Sequence, residues 1–336
     1  MAINTELKKL ALAVAQNKPA ANFSYEDMHE AFRQEVAKLV CDETGKISYH
    51  SWEAGKHEVF ALMAEMIDEI LPPRVQSTVG MFAEIKSFGH GDKPRFILKK
   101  GRNNVKRFLT RVAAAGVYER VRLDRDYFDM EVYAHGGAVY QTLEGFLSGR
   151  ENVTEVFDIM LEALEDEVYG DIAVALQGTL TSLPAANQHS AAGFVVAEFN
   201  RILATVRVYG TPVIFCTQEF AASLVPADEF IGDVDKAEMR GQGYIGRYLG
   251  ADVVILPQSF TDSANTTKVI DPSYCYIMPG GANAEKPVKV AFEGDALIRE
   301  MDREDWSKEI QMYKKMGIAI VHTHHYGIYR NTNLTV

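Results

Sequence analysis

The sequence predicts an α+β fold organised around one long amphipathic helix. Three observations carry that prediction. Residues 152–177 (NVTEVFDIMLEALEDEVYGDIAVALQ) repeat apolar side chains every three or four positions. Residues 79–133 switch to a rough alternation punctuated by glycine turns, which is strand chemistry. Residues 194–295 interleave short apolar runs with helical stretches, the pattern of a compact α/β subdomain.

In chain order, residues 1–71 read as three helices. Thr5 to Gln16 is the first, broken by Lys18-Pro19. Its short apolar run follows Lys8 and Lys9, yet Glu6 in the would-be basic region fits an arm helix better than a signal peptide. Ser24 to Val40 is the second, with Ser24 as cap and a narrow stripe of Met28, Ala31, Phe32, Val36 and Leu39. His57 to Leu71 is the third, and Pro72-Pro73 should stop it, because proline removes a backbone donor and clashes with the preceding turn.

Met81 to Phe88, a turn at 89–94, Phe96 to Leu98, a turn at 100–104 and extended runs at 105–111 and 117–123 read as a long β-hairpin excursion. It is strongly basic. Lys86 to Arg125 holds twelve Lys/Arg against three Asp/Glu, a local +9 in a chain of net charge −11, so the remaining residues carry −20. Lysines on an edge hairpin commonly guard against aggregation; the alternative is an arm that reaches another surface. A short helix is expected near Ala138 to Leu147.

The long helix follows. Val153, Val156, Phe157, Met160, Leu161, Leu164, Val168, Ile172 and Leu176 share one face. Asn152 and Glu155 spell a capping box, and Gly178 stands where a left-handed C-terminal residue is wanted. At 1.5 Å per residue the helix is about 39 Å long. Its other face is acidic, with Glu151, Glu155, Asp158, Glu162, Glu165, Asp166, Glu167 and Asp171, and no Lys or Arg occurs between Arg150 and Arg201. Such a face repels itself and calls for a positive partner.

Beyond it, a helix at Phe194 to Val208 precedes four short strands, Val213 to Cys216, Ala251 to Leu256, Tyr274 to Met278 and Val288 to Phe292. A helix at Asp305 to Lys315 and a long strand at Met316 to Arg330 close the chain. The composition, 47% hydrophobic and 24% charged over 336 residues, suits a packed soluble chain. No stretch has the roughly 18 apolar residues that a membrane helix needs. Cys41, Cys216 and Cys275 share no CxxC spacing, so neither a zinc site nor a disulfide framework is expected, and synthesis in a reducing compartment is.

Catalytic motifs are weak. Gly241, Gly243 and Gly246 spell GxGxxG, but polar residues precede them and the strand comes afterwards, the reverse of a dinucleotide fold. His322 and His324, with His325 beside them, would share a strand face and could hold a metal, yet no carboxylate or cysteine in the neighbouring sequence completes a set. The prediction is no catalytic residue, no cofactor and no metal. The net charge also argues against a general nucleic-acid binder.

Several stretches together resemble the major capsid proteins of tailed bacteriophages: TPVIFCTQEF at 211–220, GQGYIGRYLGADVVILPQSF at 241–260, NTTKVIDPSYCYIMPGG at 265–281 and EIQMYKKMGIAIVHTHHYGIYRNTNL at 309–334, with KRFLTRVAAAGVYERVRLD at 106–124. The order of elements resembles the same HK97-like phage capsid fold, which encapsulins share. The resemblance implies an N-terminal helical arm at 1–75, an extended basic β-hairpin loop at 76–125, a peripheral domain with the spine helix at 126–193 completed by 296–336, and an axial domain at 194–295. It implies a virion shell protein that assembles with itself as pentamers and hexamers in the bacterial cytoplasm. It further implies help from a separate scaffolding protein and a portal, and enclosure of phage DNA without sequence-specific binding.

In that fold the extended loop of one subunit lies across its neighbour. The resemblance therefore implies that Lys99, Lys100, Arg102, Lys106 and Arg107 of the loop meet Glu155, Glu162 and Asp166 of an adjacent spine. Three rivals remain at this point: an encapsulin-like compartment, a metal-dependent enzyme using the histidine cluster, and a DNA binder using the basic hairpin.

Overall fold

A computed structural model describes residues 48–99, 125–141, 153–224, 243–260, 262–281, 285–303, 308–321 and 324–334, with scattered positions at 31–40 and Gly241. The expected helix at Thr5 to Gln16 lies outside the described residues. Among residues 31–40 those described are helical, as expected.

Helix α1 runs Tyr49–Val79, far past the expected stop, with Pro72 and Pro73 inside it. A proline in a helix interior costs about 3 kcal/mol. Here both prolines sit on the outer side, while Ile67, Ile70, Leu71, Val75 and Val79 are buried on the inner one. At roughly 1.5–3 kcal/mol per buried large apolar side chain, that stripe outweighs the penalty. Ser48 caps the helix in a reciprocal box with Ser51.

Two sheets lie beside it. The four-stranded sheet has the order β1 (Ala83–Phe88), β10 (Val288–Asp302), β11 (Lys308–Ile320) and β4 (Tyr133–Gln141). β1 and β10 are parallel, and the other two pairings are antiparallel. The six-stranded sheet has the order β5 (Gln188–Ala191), β12 (Gly327–Asn331), β9 (Tyr274–Gly280), β6 (Thr211–Cys216), β8 (Ala251–Ile255) and β7 (Arg247–Tyr248). Helices α3 (Val196–Arg207) and α4 (Gln218–Ser223) belong with this second sheet. A two-stranded ribbon joins β2 (Arg95–Lys99) to β3 (Arg125–Asp129).

The spine helix, α2, spans Val153–Gly178. It buries Met160, Leu161, Leu164, Val168, Tyr169, Ile172, Ala173 and Leu176 against α1 and both sheets. Gly178 is the last helical residue and is not among the glycines of positive φ, so the left-handed cap is absent; the chain continues through turns closed by Thr179 and Leu180. Strand β6 is buried on both faces. Val213 and Phe215 join the main core, where Phe215 meets Phe82 edge-on at 4.5 Å, whereas Ile214 and Cys216 join the core under α3.

Five further expectations fail for physical reasons. Met81 to Phe88 is no leg of a hairpin, because β1 pairs with β10, two hundred residues away; the ribbon beyond it is made by 95–99 and 125–129. Val288 to Phe292 continues as the 15-residue β10 and lies in the four-stranded sheet rather than with β6, β8 and β9. The helix expected at Asp305 to Lys315 is β11, where Lys308, Ile310, Met312, Lys314 and Met316 alternate inward. The long strand at Met316 to Arg330 breaks after Ile320 and resumes as β12 in the other sheet. The short helix at Ala138 to Leu147 is likewise strand up to Gln141, with its remainder outside the described residues.

Candidate assembly surfaces

The root of the basic loop is built on a small apolar knot. Phe96 of β2 is fully buried with Met130 and Ala291, and Phe88 and Phe128 pack against them. The Lys86 ammonium stands 4.8 Å above the Phe96 ring, a cation–π contact. On the outer side, Arg95 grips Asp129 with two parallel hydrogen bonds, Nε to Oδ1 at 2.6 Å and a terminal guanidinium nitrogen to Oδ2 at 3.0 Å. That bond holds the Asp129 carboxyl below its usual range. The two legs are therefore locked in register from Arg95 opposite Asp129 to Lys99 opposite Arg125.

Lys99 is the last residue of β2, so it leaves the ribbon toward the loop. Lys100, Arg102, Lys106 and Arg107 lie outside the described residues. Glu155 lies in the first turn of α2. Glu162 is exposed on α2 and faces away from the core. Asp166 is half-buried, and its Oδ2 already accepts a hydrogen bond from the Ser259 hydroxyl at 2.8 Å.

The acidic face is less bare than its sequence suggests. Arg74 of α1 reaches Glu165 at 3.3 Å, and the Tyr169 hydroxyl donates to the same carboxylate at 2.7 Å. Burial pushes the Tyr169 phenol well up, so it stays a donor. His135 of β4 stands between Glu167 and Asp171. Sequence reasoning missed Arg74 and His135 because each comes from an element distant in the chain, whereas Tyr169 stands one helical turn from Glu165 on α2 itself.

A second surface was also missed. On the outer face of the four-stranded sheet, Tyr140, Leu297 and Tyr313 are exposed, Leu297 opposite Tyr313 in register. Leu297 and Tyr313 border a groove of about 740 Å³ that His90, Gly136 and Arg299 also line. The signal was the alternation of β10 and β11, hidden by reading β11 as a helix.

The nucleotide and metal readings of the sequence fare as follows. Gly243, at φ +83°, leads through a bend into the two-residue strand β7 and to no helix start. His324 and His325 lie in the turn between β11 and β12, with rings 4.2 Å apart and both packed on Tyr209. His322 is outside the described residues; β11 ends at Ile320, and His324 lies in the turn beyond it.

A family model described as "SPbeta prophage-derived putative capsid protein YonB" matches residues 6–330. No curated protein matches the sequence. Among solved structures, the capsid of a native GTA particle superposes at a TM-score of 0.55 with 9% identity, over 76% of this chain and 90% of that one. The mature capsid of bacteriophage PhiM1 gives 0.53 with 8% identity, over 76% and 86%. The head of Helicobacter pylori bacteriophage KHP40 gives 0.50 with 12% identity, over 76% and 91%. These likenesses show the fold, which is HK97-like.

Proposed function

The chain belongs to the YonB family of prophage-derived capsid proteins, and on that premise we propose that it is the major subunit of a tailed-phage head enclosing double-stranded DNA. The family match across residues 6–330 carries this reading, and the HK97-like fold supports it. A capsid protein of this kind builds a shell from copies of itself; the finer claim is closure as pentamers and hexamers, in the host cytoplasm, with a scaffolding protein and a portal, and without catalysis.

In this reading the four-stranded sheet with α1 and α2 forms the peripheral part, and the six-stranded sheet forms the axial part. The β2–β3 ribbon is the root of the extended loop. Lys99, Lys100, Arg102, Lys106 and Arg107 would then lie on Glu155, Glu162 and Asp166 of a neighbour. Each exposed ion pair is worth about 0–1 kcal/mol. Repetition around a closed shell turns such pairs into a register device more than a source of affinity.

Size-exclusion chromatography followed by negative-stain electron microscopy, with the chain alone and together with its scaffolding protein, tests the proposal. Shells, tubes or five- and six-fold rings are the expected outcome. A strictly monomeric chain under both conditions would overturn it.

A further inference from the structure

We propose that His135, Glu167 and Asp171 form a binding site for a transition-metal dication of the zinc class, which clamps the edge strand β4 to the spine helix. Glu167 and Asp171 are four residues apart on α2, so both carboxylates project from one face of the helix. His135 of β4 points at the same place from the inner face of the sheet, opposite Lys314 in register. Nδ1 stands 3.4 Å from Glu167 Oε1 and Nε2 stands 3.6 Å from Asp171 Oδ2, so the ring lies between the two carboxylates. One ligand atom from each residue lies within 4.8 Å of the other two.

Those separations are too long for tight charge-assisted hydrogen bonds, which fall near 2.7–2.9 Å. Ligands held about 2.1 Å from a tetrahedral zinc stand about 3.4 Å apart. Rotation of the His135 ring and of one carboxylate brings one ring nitrogen and two oxygens, already within 4.8 Å of one another, to that arrangement.

Charge points the same way. Among the described residues neither carboxylate meets a Lys or Arg; Arg74 serves Glu165 and Lys314 serves Asp68. The pair thus lacks a full counter-charge, and a dication supplies one. The donor set selects the metal: one imidazole with two carboxylates suits zinc or manganese, whereas calcium and magnesium favour all-oxygen shells. Glu167 is exposed, so the fourth position opens to solvent and takes a water.

The test uses the full chain, stripped with a chelator and titrated with Zn²⁺ by calorimetry, with melting followed in parallel by circular dichroism. The expected result is one equivalent bound per subunit and a raised melting temperature. His135→Ala should weaken binding by more than about tenfold. Glu167→Gln with Asp171→Asn should do the same, and that variant keeps its fold because it removes a like-charge pair. His324→Ala with His325→Ala should leave binding intact. The proposal falls if the stripped chain takes up no Zn²⁺, if the carboxamide variant binds as the parent does, or if binding is lost with the His324 and His325 pair.

Discussion

Lys314 of β11 delivers its ammonium to the Asp68 carboxylate of α1, inside the seam between helix and sheet. The lysine side chain is only 4% exposed, and its other contact is the Gly294 carbonyl at 2.6 Å. Asp68 also accepts from the Ala296 backbone N–H at 3.0–3.1 Å. The two partners are therefore not equivalent. Asp68→Ala strands a buried ammonium and should cost about 3 kcal/mol, within the range for breaking a buried pair. Lys314→Met leaves a carboxylate that is better placed toward solvent and keeps a donor, so it should cost about half as much. Urea unfolding of the unassembled subunit measures both, and equal losses would contradict the asymmetry.

Acid should loosen the β1 edge first. Glu84 stands opposite Lys289 across the parallel β1–β10 pair. Burial pushes its carboxyl up, but hydrogen bonds from Lys289 and Lys86 more than offset that, and the net shift is downward from 4.5. A depressed folded value means the stabilisation is fully present above the unfolded value and is lost as pH falls through the folded one. Melting temperatures should therefore drop below about pH 4.5. Glu84→Gln should flatten the drop while lowering stability at neutral pH.

Charge reversal tests the loop-on-spine contact. Reversing Lys99, Lys100, Arg102, Lys106 and Arg107, or reversing Glu155 and Glu162, should each block assembly. Combining the two should restore it. Asp166 is best left in place for this experiment, because its bond to Ser259 serves its own subunit. If the combined variant assembles no better than its parents, as judged by sedimentation, the pairing is wrong.

Gly327 marks where α3 lies closest to β12. A Cβ there would come 2.2 Å from Ile202 Cγ2 and 3.1 Å from the Asn187 carbonyl oxygen, and Ile202 is fully buried. Gly327→Ala should cost about 1–3 kcal/mol through overpacking. Ile202→Ala removes the clashing Cγ2, so it should cost less in the Gly327→Ala chain than in the parent. Thermal unfolding reads both; strictly additive losses would place the strain elsewhere.

What the chain declared openly was whatever a single local period dictates. The spine helix was legible because its apolar face repeats through seven turns, and β6, β8 and β9 were legible as unbroken apolar runs. β11 was misread because Gln311, Lys314 and Lys315 are helix formers, while its inward lysines answer to Asp68 and Glu300, residues that only the fold brings near. The prolines of α1 were read by propensity, and burial overrode it. His135 was invisible as a ligand for the same reason as the β1–β10 pair: its partners are adjacent in space and remote in sequence. The extended loop's lysines and arginines were easy to find, because a local excess of charge is read from the sequence without any fold.

The parallel pairing of Ala83 with Val288 also constrains how the chain is made. A nascent chain emerging from the ribosome holds β1 without its mate until about two hundred further residues are synthesised. Contacts of such separation form slowly, because the loop they close is long and its entropy must be lost first. β1 and α1 therefore wait with apolar surface exposed, while the six-stranded sheet waits in turn for β12 at the far end of the chain. The last strands to be synthesised close both sheets. Until β10, β11 and β12 are all made, neither sheet has its full set of neighbours.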